Sequence, residues 1–120
     1  MNVYDAAHQL ARRLRECPEY IEFKRAKESL KEDPQAENML KDLRNKQFEL
    51  QALKLSGKPT DEAEENLRNL YNIVAHNSLL KRYLEAEERF AVLFSDIQDI
   101  IMKGIELDID LNKKYKMVTN

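Results

Sequence analysis

The 120 residues are one domain's worth of chain, able to hide roughly 70% at most of the surface the unfolded form exposes. Two glycines, three prolines and 35% charged residues set among Leu, Ala, Glu and Lys give the composition of long helices and exclude a turn-rich β fold. The formal charge is −2, and 7 basic against 6 acidic residues in 1–32, 6 against 8 in 33–75 and 7 against 8 in 76–120 leave no block that offers phosphates a positive field.

The first apolar positions, Val3, Ala7, Leu10 and Leu14 with Tyr4 and Ala11, recur at helical spacing and place Arg12, Arg13 and Arg15 on the outer side. That helix is expected to stop at Glu16 or Cys17. Pro18 would remove a hydrogen bond from a continuing helix and clash with its preceding turn, but it suits the first turn of a new one. Tyr20, Phe23, Ala26 and Leu30 form the inner face of the second helix, and Asp33-Pro34 repeats the stop and restart, with Asp33 as N-cap.

The third helix should reach Leu55, with Ala36, Met39, Leu40, Leu43, Leu50 and Leu53 facing one way. Phe48, Ala52 and Leu55 lie some 120–180° from Leu43 on a helical wheel, so they form a second apolar patch where a wet face is expected. Either neighbouring helices of the same chain cover that patch or a partner does. Ser56-Gly57-Lys58-Pro59 ends the helix, since Gly57 can take the left-handed conformation and Pro59 forbids continuation. Thr60 or Asp61 then caps a fourth helix, Asp61 and Glu64 having capping-box spacing, and Ala63, Leu67, Leu70 and Val74 are its buried stripe.

After His76-Asn77-Ser78, the stretch from Ser78 to Ile105 carries the strongest signal. Leu79, Tyr83, Ala86, Phe90, Leu93, Ile97 and Ile100 alternate steps of four and three, a nearly straight apolar seam on a helix. With Leu80, Leu84, Phe94, Met102 and Ile105 flanking it, the apolar arc covers about 200°, against ~100° for an ordinary surface helix. The fifth helix must therefore be covered from more than one side. Ile105, Leu107, Ile109 and Leu111 then alternate with acidic residues at the period of a strand, and three outcomes stay open: pairing with a second chain, an irregular tail, or continued helix. The expected division is one helical domain over 1–104 and a tail over 105–120.

Chemistry is scarce. Gly57 and Gly104 are the only glycines, so no loop cradles a phosphate. His8 and His76 have no second ligand at metal spacing, and Cys17, the sole cysteine, reads as a reduced buried thiol. No catalytic residue, metal or cofactor is expected. Glu87, near the border of the seam, reads as a structural hydrogen-bond partner of Tyr83 or of another helix, or as a recognition residue. Charges spaced by four, Glu37 with Lys41, Asp42 with Lys46, Glu64 with Arg68 and Glu85 with Arg89, read as a solvated face. The longest apolar run, Phe90 to Phe94, falls far short of the ~20 residues of a membrane span, and the N-terminus lacks a signal peptide's apolar core; a cytoplasmic protein is expected.

Taken together, Tyr4-Asp5, Leu10-Ala11, Glu16-Cys17-Pro18-Glu19-Tyr20, Asp33-Pro34-Gln35-Ala36, Leu43, Gln47, Tyr83-Leu84-Glu85-Ala86-Glu87 and Ile100-Ile101-Met102 give an order and spacing over residues 3–104 that resembles the YlbF/YmcA family of small bacterial helical proteins, in particular its YheA-like branch. The resemblance implies an all-helical protein that assembles with copies or relatives of itself. Some relatives are non-catalytic subunits of complexes governing competence, sporulation and biofilm formation, apparently through RNA processing. Certain members hold an iron–sulfur cluster with cysteines; with Cys17 alone, no cluster is expected here.

The expected architecture is an all-α, five-helix bundle with long third and fifth helices in which the first four helices wrap the fifth, and it is expected to form a homodimer through Phe48, Ala52, Leu55, Leu84 and Met102. Replacing Leu84 or Phe48 with Glu should then yield monomers. Further protein partners would bind helical faces, with no membrane and no nucleic acid involved. The alternative, an RNA-associated accessory protein contacting RNA directly, would need a basic or aromatic strip that the balanced charge does not supply.

Overall fold

The computed structural model describes residues 2–106, which form five α-helices and, among the described residues, no strand. They are α1 (Val3–Glu16), α2 (Pro18–Lys31), α3 (Pro34–Leu55), α4 (Asp61–Val74) and α5 (Ser78–Gly104). The strand-like alternation from Leu107 onward lies outside the described residues.

Each boundary has a local cause. Asn2 Oδ1 accepts from the Asp5 amide (2.8 Å), Asp33 Oδ1 from Ala36 (3.1 Å) and Asn77 Oδ1 from Leu80 (3.0 Å), so three helices begin on side chains that satisfy an otherwise orphaned N–H. Cys17 is extended at φ −77° and ψ 151°, ending α1, and Pro18 opens α2. α3 closes in a Schellman turn: Gly57 sits at φ +70°, its N–H donates to Lys54 O (3.2 Å), and the Lys58 N–H donates to Leu53 O (3.0 Å). Thr60 is the N-cap of α4 and Asp61 lies just inside it. The Thr60 hydroxyl donates to Glu64 Oε1 (3.1 Å) instead of capping the backbone, so the expected capping box does not form.

α2 runs antiparallel along the first half of α5. Phe23 contacts Tyr83 (ring centroids 5.5 Å apart) and Phe90 (5.8 Å), while Tyr20 contacts Phe90 at 5.7 Å. Ala26, Leu30, Ala36, Val74, Leu80, Tyr83 and Ala86 form the buried cluster, with Phe23, Met39, Leu40, Leu70, Leu79 and Leu84 packed against it. Further along, Leu43 of α3 and Leu67 of α4 are buried as the apolar spacing of both helices requires.

The wrapped arrangement expected for α5 is not what forms. α5 packs chiefly on α2 and less on α3, α4 lies against α3, and α1 packs against α2 alone among its principal contacts. The principal-axis extents are 51 × 38 × 16 Å. With helix axes 8–10 Å apart, about 16 Å of thickness holds two helix layers and no more. A 27-residue helix, about 40 Å long, is therefore not enclosed by the described helices.

Candidate protein-interaction surfaces

Three features stand out above the solvated charge. The first joins α3, α4 and α5. Arg44 Nη2 donates to both Glu87 oxygens, at 2.7 and 2.6 Å, and the Tyr83 hydroxyl donates to Glu87 Oε2 at 3.2 Å. Gln47 extends the network by donating to the Tyr71 hydroxyl at 2.7 Å. Glu87 thus takes the structural role read for it, and its chief partner is Arg44, which the sequence reading passed over. Positions three and four residues either side of Glu87 hold Leu84, Tyr83, Phe90 and Ala91, none of them basic, so its cation had to come from another helix. Burial, followed by the neighbouring Glu87 carboxylate, holds the Tyr83 phenol above its ordinary value.

The second feature is the patch on the C-terminal half of α3. Phe48 is 75% exposed and Leu55 73%, and Ala52 between them is exposed as well. None of the described helices covers them. A shallow cavity of about 380 Å³ runs beside Phe48 and Ala52, edged by Glu49, Ser56 and Lys58. Leu84 and Met102 do not join this patch. Leu84 is half-buried against the chain's own core, and Met102 is half-buried on the far part of α5.

The third feature is the opposite pair of loose ends. Beyond Phe90, α5 runs past the start of α2, leaving Phe94, Ile100 and Ile101 exposed along the face that is buried further back. α1 contains no buried residue at all; Val3 is 82% and Tyr4 79% exposed. The apolar spacing in both segments was legible, but among the described residues full burial does not follow from it.

Charged groups behave as a solvated face with different partners from those expected. Lys46 reaches Glu49 (3.7 Å) and Lys81 reaches Glu85 (4.0 Å), while Arg82 Nε donates to Glu22 Oε1 across α5 and α2 at 2.9 Å. That hydrogen bond holds the Glu22 carboxyl below its usual range. Cys17 is half-buried rather than buried, its thiol donating to Leu14 O at 3.1 Å. Among the described residues, no three His, Cys, Asp or Glu side chains converge as metal ligands, and no helix is long and apolar enough to cross a membrane.

A UPF0342 protein of Symbiobacterium thermophilum is 42% identical over 112 residues, covering 92% of this chain and 100% of that protein. Another, from Clostridium tetani, is 39% identical over 115 residues, 95% of this chain and 99% of its own length. A solved "Protein of Unknown Function (DUF964)" from Bacillus stearothermophilus superposes with a TM-score of 0.77 at 24% identity, over 87% of this chain and 92% of that one, and so shares the fold. The family model described as "Control of competence regulator ComK, YlbF/YmcA" matches residues 3–106, which takes in all five helices and both loose ends: the chain belongs to the YlbF/YmcA family.

Proposed function

We propose that this protein is a non-catalytic, cytoplasmic interaction module of the YheA-like branch that self-associates and binds protein partners through its helical faces. Competence control, with sporulation and biofilm formation by the resemblance described above, is the process in which it acts, through complexes that process RNA. The family description, which names control of the competence regulator ComK, supports the process. The observation that carries the reading is the exposure of large apolar side chains on well-formed helices, above all Phe48 at 75% and Leu55 at 73%. A contiguous apolar patch of this kind on a small chain marks a protein-binding surface.

The Phe48, Ala52 and Leu55 face serves a protein partner, its spacing of four and three residues matching the grip of a second helix. Leu84 and Met102, half-buried, contribute what surface their own chain leaves free. Sedimentation equilibrium of the full chain at micromolar concentration tests self-association. Dimers or larger species are expected, and a chain-sized particle throughout the range contradicts the reading.

A further inference from the structure

We propose that the outer side of the bend between α1 and α2 docks an acidic segment of a partner protein, whose carboxylates meet Arg15, Lys24 and Arg25 while an apolar residue of the segment rests on Ile21. The inference rests on the reading that helical faces of this chain bind protein partners, and it adds a second such face, apart from Phe48, with a stated chemistry.

Residues 1–32 are nearly neutral by count, 7 basic against 6 acidic, but the folded helices sort these charges. On the α2 wheel Lys24, Glu28, Ile21 and Arg25 fall within about 100° of one another, opposite the Phe23, Ala26 and Leu30 face that packs on α5. Glu22 is drawn away from that outer side, since it accepts from Arg82 of α5 at 2.9 Å. Glu19 opens instead onto a cavity beside α5 that Glu85, Glu88 and Asp96 also edge. What remains outside is a cavity of about 350 Å³, lined by Arg15 from the last turn of α1 and by Tyr20, Ile21, Lys24, Arg25 and Glu28 of α2.

Three cations thus face one carboxylate. All three are exposed, and among the described residues none of them forms an ion pair, not even Lys24 with Glu28 one turn away. Arg25 acts only through its field on Glu22. An anion entering the cavity therefore displaces no existing pair.

The lining favours a protein segment over a nucleic acid. Tyr20, its one aromatic residue, packs its ring against Phe90 of α5 at 5.7 Å, so it is held for the core and not left as a platform for bases. A long polyanion leaving the cavity past Tyr20 meets the four carboxylates that begin at the neighbouring Glu19, and the whole chain carries −2. Ile21, 37% exposed among the cations, suits an apolar side chain, which a peptide carries and a phosphate backbone does not.

The test uses the full chain and, as probe, a short fluorescein-labelled peptide of glutamates interrupted by single leucines. A peptide with lysine in place of glutamate and a single-stranded oligouridylate matched in charge to the acidic peptide are the comparisons. With the acidic peptide, amide chemical shifts should move at Arg15, Tyr20, Ile21, Lys24 and Arg25, and the affinity read by anisotropy should fall with added salt. Lys24→Glu with Arg25→Glu should weaken that binding about tenfold or more and raise the affinity for the lysine peptide. Circular dichroism checks folding, and Lys24→Gln with Arg25→Gln, which adds no repulsion, should weaken binding in the same direction. Phe48→Glu should leave it unchanged. Unmoved amides at the bend, an affinity that both charge variants leave intact, or tighter binding of the oligouridylate overturns the proposal. A chain that sediments as a dimer yet ignores the peptide overturns this surface alone, whereas a monomer that binds the peptide at the bend overturns self-association and upholds this surface.

Discussion

Glu87 shows how much one side chain can tie together. Its carboxylate receives Arg44 from α3 and Tyr83 from its own helix, and Gln47 and Tyr71 carry the link to α4. Because Arg44 and Glu87 are part exposed, with side chains 43% and 32% accessible, water screens the pair and its contribution is modest. Glu87→Gln, which keeps the shape and removes the charge, should lower stability by about 1 kcal/mol in urea titration. The alkaline limb has a definite sign. The folded-state Tyr83 phenol lies above its ordinary 10.0, so its contribution is intact below pH 10 and is lost as pH rises through the folded value. Tyr83→Phe should flatten that loss in urea midpoints measured across the alkaline range. Glu22 works oppositely: its carboxyl lies below the ordinary 4.5, so the contribution of its bond to Arg82 is present above that value and lost as pH falls through the lower folded one. Glu22→Gln should remove this acid-side dependence.

At the scale of elements, the boundaries were legible because each depends on residues next to one another in the chain. Cys17-Pro18, Asp33-Pro34 and Gly57 with Pro59 act through fixed dihedrals and local hydrogen bonds, and all three breaks form where the sequence places them. Stripes were legible too, since Ala26, Leu30, Ala36, Leu43, Leu67 and Val74 are buried as their periodicity requires. Which helix covers which stripe was not legible, because periodicity marks a face and is silent about its neighbour. Hence α4 was expected on α5 and lies on α3, and the Arg44–Glu87 pair, 43 residues apart in the chain, left no spacing to find. Two substitutions separate buried from free faces on α3. Leu43→Ala, at a fully buried site, should cost about 2–5 kcal/mol. Phe48→Glu, on the exposed patch of the same helix, should stay within about 0.5 kcal/mol of wild type in monomer stability while abolishing partner binding.

The described residues form a slab, not a ball. Their Cα radius of gyration is 17.8 Å, where a compact chain of about this length has about 14 Å. The 16 Å thickness leaves room for two helix layers, and along α1 and the far half of α5 Val3, Tyr4, Leu10, Phe94, Ile100 and Ile101 stay exposed. The apolar arc of about 200° on α5 already demanded cover on more than one side. The proposed self-association would supply the remaining cover. Amide hydrogen exchange followed against protein concentration measures this most directly, residue by residue, over α1 and over Phe94 to Gly104. Protection of both segments that appears together at high micromolar concentration and disappears on dilution is the predicted result; protection that is the same at every concentration would contradict it.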